Sequence, residues 1–362
     1  MQKVKENPAL STFKVAATYI GTVVGAGFAS GQEVLQFFGY FGINGFWGLL
    51  IAAALFALFG WIVMDLGMRL NARSHLEVIR HAGGRWMGTA IDYTVTFFLF
   101  GAFTAMAAGA GAIFAEQFQW PSLLGSAMLV LATLLTVMMG LNGVITSISI
   151  IVPILLGSVV GIGIWTVIST NFLANPVIGT VTAKPAVPFW PFSAIVYVSY
   201  NLVMAVSILA PMGANYRNPD VLRRGAILGG LGLGVGALTI LLAVLPNLPQ
   251  AAKYQIPMVY VAGRLNPTLR VLYSLVLLAE IYTTAVGCLY GFVARLTSPE
   301  ERRTRYYIIG AGAAALLASM LGFTTMVRTL YPAVGYAGLL LLFGLTYTLI
   351  KRRREPENQA GS

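Results

Sequence analysis

Apolar runs close to 20 residues long recur from one end of this chain to the other. A helix of that length, at about 1.5 Å per residue, crosses the ~30 Å hydrocarbon core of a bilayer. It also satisfies its own backbone hydrogen bonds, as lipid demands of any spanning element. Of the 362 residues, 57% are hydrophobic and only 10% charged, a balance foreign to soluble globular domains. The expected fold is an all-α polytopic membrane protein, with the lipid bilayer as a partner. The net charge of +11 does not point to nucleic acid, because the basic residues stand between the apolar runs, where topology signals belong. The one cysteine, Cys288, has no internal disulfide partner.

Ten spans are predicted, over 12–41, 43–66, 88–117, 122–141, 143–170, 190–212, 225–246, 269–296, 306–323 and 330–350. With the N-terminus inside, 18 of the 23 Lys and Arg fall on the inner side, and Lys184, Lys253, Arg264, Arg270 and Arg328 fall outside. That bias predicts a multi-pass protein of the cytoplasmic membrane with both termini cytoplasmic. The chain divides into a cytoplasmic N-terminus (1–11), a first five-helix repeat (12–170), an external loop (171–189), a second five-helix repeat (190–350) and a basic cytoplasmic tail (351–362). Five is odd, so the second half enters the membrane from the opposite side, which makes an inverted repeat. The outer connections Asn171–Trp190 and Asn247–Thr268 are rich in proline. They fold either as partial lids over an outer vestibule or as plain surface loops.

An inverted repeat places its binding site where helices are interrupted at matching positions. Span 1 contains Gly21, Gly25, Gly27 and Gly31, followed by Ser30, Gln32 and Glu33 among apolar neighbours. Glycine costs about 1 kcal/mol against alanine inside a helix, so this density marks a break. Close helix packing is the competing explanation for small residues four apart. Span 6 holds Ser199, Tyr200 and Asn201 at its middle and ends on Pro211 and Gly213, which predicts a second, weaker interruption.

Acidic groups inside a bilayer are costly and usually functional. Of twelve, Glu33 and Glu280 lie deep within predicted spans. Glu33 serves either as a favourable charge at the start of the second half of span 1 or as part of a site. Glu280, Thr283 and Thr284 stand at i, i+3 and i+4, on one helix face. With carbonyls freed by the break they form a set of hard oxygen ligands, suited to Na⁺ or to a proton on Glu280. Back-bonding of the threonines to their own helix is the competing explanation. No enzymatic constellation is present in the sequence: His75 and His81 share one loop, and neither H-E-x-x-H nor a phosphate-cradling loop occurs. No cofactor is expected other than a possible Na⁺. The stripe from Ala105 to Ala112 reads as helix packing, and Phe100, Phe103 and Thr104 sit one turn earlier, where they would face a central pocket.

Ten helices in a five-plus-five inverted repeat with helices 1 and 6 broken resemble the LeuT fold of the amino acid–polyamine–organocation superfamily. The string G-T-V-V-G-A-G-F from Gly21 resembles the G-x-x-V-G-x-G-x-F pattern of neurotransmitter:sodium symporter relatives, with Phe28 shifted by one position. The longer Y-I-G-T-V-V-G-A-G-F-A-S-G-Q-E is similar to the bacterial YkvI-type membrane proteins. The resemblance implies that carbonyls of Gly21 and Val24, with Thr283 and Thr284, ligate a sodium ion. Glu280 stands where relatives carry a small residue, a departure that would supply a carboxylate to the cation, titrate for proton coupling or hold a substrate amine. Some proton-coupled relatives place a lysine in helix 5, which this chain lacks. The resemblance also implies a substrate seat along Gly25, Ala26, Gly27, Phe28, Ser30 and Glu33, walled by Phe103, Ser199, Tyr200, Asn201 and Glu280. The implied function is secondary active transport of a small organic solute, an amino acid or related zwitterion or amine, coupled to Na⁺ or H⁺. The alternative is a non-transporting sensor or channel on the same scaffold.

Overall fold

A computed structural model describes residues 8–139, 144–170, 184–216, 218–297 and 303–359. The first expected span is three helical pieces: α1 (Pro8–Val23), α2 (Ala26–Ala29) and α3 (Gln32–Phe37). The first joint runs through Gly25, in extended conformation at φ −129°. The second turns at Gly31, whose φ of 79° lies in the left-handed region that costs other residues ~1–2 kcal/mol. The glycines therefore act as joints, and two of the four sit where the helix stops.

After the break come α4 (Ile43–Leu70), α5 (His75–Phe118), α6 (Ser122–Met139) and α7 (Val144–Ser169). The second half contributes α8 (Trp190–Tyr216), α9 (Pro219–Val244), the short α10 (Pro257–Leu265), α11 (Pro267–Leu296), α12 (Arg303–Ser319) and α13 (Phe323–Gln359). Among the described residues seven helices are long and apolar enough to cross a membrane: α4, α5, α6, α8, α9, α11 and α13. α12, at the ninth predicted span, has 17 residues. α5 starts well before the predicted span and bends at Gly84, where φ is 77°. The predicted tail from 351 begins as a continuation of α13. Much of the external loop expected over 171–189, and the first seven residues, lie outside the described residues.

The predicted interruption of span 6 is absent: α8 is a single helix with Pro211 inside it. The polar cluster is satisfied without unwinding. Asn201 Nδ2 donates to Tyr197 O at 2.9 Å within the helix, and Ser199 Oγ donates to Gly335 O on α13 at 2.7 Å. No glycine stands between Trp190 and Met212 to favour a break. A proline inside a membrane helix is tolerated where neighbours re-satisfy the freed carbonyl.

Close approach of helices holds the bundle, since lipid supplies no hydrophobic drive between apolar helices. α4 and α8 cross where a Cβ on Gly67 would strike Ala210 O and one on Gly213 would strike Met64 O. α9 presents Gly229 to Tyr19 of α1 and Gly230 to Ala57 of α4. The buried Tyr19 hydroxyl donates to Phe56 O at 2.9 Å, tying α1 to α4. The small-residue stripe of α5 packs too: a Cβ on Gly111 would stand 2.7 Å from Ser122 O of α6.

Candidate substrate and ion site

Helix ends leave their last carbonyls without intrahelical partners, and Gly21 lies in the last turn of α1. α11 packs against α2, immediately past that end. The atom that a Cβ on Gly25 would meet first is Thr284 Oγ1, at 4.0 Å. The break thus lies beside the polar face of α11. Glu280 there is 3% exposed; its Oε1 accepts from Thr284 Oγ1 at 3.5 Å, and its Oε2 is buried without a hydrogen-bond partner. Thr283 Oγ1 donates to Glu280 O at 3.0 Å, the back-bonded arrangement, which leaves its oxygen lone pairs as acceptors. Val24 is buried at the joint, its N–H still bonded to Ile20 O at 2.8 Å. The structure so brings Val24, Gly25, Glu280 and Thr284 together at one end of α2.

A second carboxylate lies at the other end of α2. Glu33 is 5% exposed and accepts a hydrogen bond from the Tyr200 hydroxyl through Oε2. Its Oε1 lies over Gly27, where a Cβ would overlap it. Glu33 makes no side-chain bond to the amides at the start of α3; its one hydrogen bond goes across to α8. Ser30 supports the turn between α2 and α3, donating to Gly27 O at 2.7 Å and accepting from Gln32 N at 3.1 Å. Ala26 and Phe28 are buried on α2, and the Phe28 ring meets α9, 3.2 Å from where a Cβ on Gly236 would be. Phe103 is fully buried on α5. Ser199 and Asn201 spend their polar groups on α13 and on α8 itself.

Several residues at this centre were not singled out from the sequence. The Tyr273 hydroxyl of α11 donates to Ala29 O, fastening the end of α2. Met258 N, at the start of α10, donates to Ser30 O at 3.0 Å, so the connection after α9 folds back onto the break. Phe37, Phe98, Tyr197 and Tyr331 join Tyr200 in one aromatic cluster. The spacing of Tyr197 and Tyr200 at i and i+3 was the one available signal.

A helix broken at mid-length stands against two buried carboxylates inside a bundle of apolar helices of a membrane protein, and the fold it belongs to is the LeuT fold, as superposition shows. Solved transporters of that fold superpose on it. Mhp1 in its inward-facing conformation gives a TM-score of 0.59 at 17% identity, covering 94% of this chain and 77% of that one. MhsT in complex with L-phenylalanine gives 0.55 at 14%, covering 91% and 86%. A manganese transporter of Eremococcus coleocola gives 0.56 at 15%, covering 97% and 80%. In sequence, the uncharacterized membrane protein YkvI of Bacillus subtilis (strain 168) is 30% identical over 350 residues, covering 95% of this chain and 98% of its own length, and this chain belongs to the same family. The protein YyaD of the same organism is 25% identical over 324 residues, covering 89% and 92%. No family model matches the chain.

Proposed function

We propose that this protein is a secondary transporter of the cytoplasmic membrane, with both termini inside. It moves a small organic solute, an amino acid or related zwitterion or amine, by alternating access. A coupling cation, Na⁺ or H⁺, acts through Gly21, Val24, Glu280, Thr283 and Thr284. The observation that supports this most is Glu280. Its Oε2 is buried without a partner, next to Thr284 and to the end of a broken helix. Leaving such an atom unpaired in a membrane interior is costly unless a cation or proton visits it. The donors are all oxygen, the chemistry that hard cations prefer. The fold shared with solved transporters supports the same reading. Substrate contacts fall along Gly25, Gly27, Glu33 and Tyr200, past the end of α1.

The test is a thermal-shift screen of the detergent-purified protein against amino acids and small amines, in NaCl and in KCl. A ligand present at 100 times its Kd stabilises by about 2.7 kcal/mol. A shift that needs both one solute and Na⁺ is the result expected for sodium coupling. A solute shift that ignores Na⁺ but follows pH assigns coupling to a proton. The identified solute is then offered to proteoliposomes; binding without gradient-driven uptake would overturn the transporter reading in favour of a sensor.

A further inference from the structure

A cavity of about 170 Å³ lies at the corner where the end of α5, the short α10 and the start of α11 meet. Glu116 of α5, Arg264 of α10 and Arg270 of α11 line it. Tyr254 and Tyr260 form a wall, their rings stacked with centroids 4.7 Å apart. Gly263 also lines it; a Cβ there would come within 2.8 Å of Arg270 Cδ, so the glycine leaves room for the Arg270 side chain. Glu116 Oε1 accepts from Gln255 N at 2.7 Å, while Oε2 is buried without a hydrogen-bond partner. Arg270 Nη2 donates to Glu116 O at 2.6 Å, while Nε is buried without a partner. The two charged groups line one cavity, yet among the described residues no ion pair joins them.

Arg270 stands in the first turn of α11, the positive end of the helix dipole, where a cation is disfavoured and an anion favoured. Leaving a buried acceptor and a buried donor unpaired is costly, and one ligand that carries both an anion and an N–H cation satisfies both. The cationic donors come from two arginines on different helices. A tetrahedral phosphate accepts from several directions at once, whereas a planar carboxylate is met best by the fork of one guanidinium, and the Arg270 fork is partly spent on Glu116 O. Glu116 Oε2 calls for an N–H, which a primary ammonium has and a quaternary one lacks. We propose that this corner binds a phosphoethanolamine group, its phosphate against Arg264 and Arg270 and its ammonium against Glu116 Oε2, taken from a lipid headgroup or from the free compound. The ligand is a bound effector rather than cargo, and its site is built by α5, α10 and α11, apart from the break in the first helix. α10 also carries the bond from Met258 N to Ser30 O, so a ligand that joins it to α5 and α11 holds the whole connection in its docked place.

The purified full chain, in a maltoside detergent, is titrated with O-phosphoethanolamine, phosphocholine, inorganic phosphate and glycine, with melting temperature as the readout. A lipid arm adds phosphatidylethanolamine, phosphatidylcholine or phosphatidylglycerol to the micelles. Expected is a saturable shift with O-phosphoethanolamine, with phosphatidylethanolamine or with both, and which of them acts identifies the source. Arg264→Gln and Glu116→Gln should each weaken it about tenfold, the scale of one charge-assisted hydrogen bond. Arg264 is exposed, and glutamine at 116 keeps an oxygen for Gln255 N, so both variants retain the fold. An equal shift with the choline compounds, with phosphatidylglycerol, with glycine or with inorganic phosphate overturns the assignment. So does the lack of a shift with either ethanolamine compound, or undiminished binding by Arg264→Gln.

Discussion

Glu280 and Gly27 carry the sharpest consequences of single atoms. Glu280→Gln keeps the shape of the side chain but removes its charge and its titration. Coupled uptake in proteoliposomes should fall to background while the purified protein stays monodisperse; unchanged coupled uptake would remove Glu280 from the ion site. Thr284→Ala should raise the Na⁺ concentration needed for half-maximal uptake, and an unaltered Na⁺ response would remove the sodium assignment. Gly27→Ala puts a methyl where Glu33 Oε1 stands. Overpacking of this kind costs about 1–3 kcal/mol, so both the melting temperature and solute binding should drop. Gly25→Ala is the control for stability alone, because its new methyl meets nothing closer than Thr284 Oγ1 at 4.0 Å. Equal drops in melting temperature from the two alanines would contradict the placement of the Glu33 carboxylate.

Among the elements, α8 and the broken first helix respond differently to their polar residues. Ser199→Ala should cost ~0.6 kcal/mol, the mean for interhelical hydrogen bonds in membranes, and leave solute affinity alone, because that hydroxyl bonds Gly335 O. Tyr200→Phe should weaken affinity, because its hydroxyl bonds Glu33. If Ser199→Ala lowers affinity as much as Tyr200→Phe does, α8 presents a different face to the solute. At the second joint, Gly31→Ala forces a left-handed residue and brings a methyl to 2.8 Å from Met258 Cγ. A lower melting temperature, by ~1–2 kcal/mol or more of stability, is expected there. The break in the first helix was legible because glycine is expensive in a helix and Glu33 is expensive in lipid. The expected break in α8 was not there, because serine and asparagine can satisfy themselves against a carbonyl without unwinding anything. The aromatic cluster was invisible in the sequence: Phe37, Phe98 and Tyr331 sit on three helices far apart in the chain. Each looks like an ordinary apolar residue of a membrane span. The fold of the Asn247–Thr268 connection was equally open, since proline-rich composition does not say where a loop docks.

For the molecule as a whole, orientation rests on the distribution of Lys and Arg. Cys288 is buried and is the one cysteine of the chain, so a cysteine-free background needs one substitution. In Cys288→Ala cells, Lys253→Cys should react with an impermeant maleimide from outside and Lys351→Cys only after the membrane is opened; the opposite pattern would invert the topology. The bond from Met258 N to Ser30 O ties the start of α10 to the joint between α2 and α3. It is made by backbone on both sides, so drift of either side chain leaves it intact, and only a proline at 258 would delete the donor. The connection after α9 is therefore fastened to the break itself, and a displacement of the α2–α3 joint would pull on α10 through backbone alone.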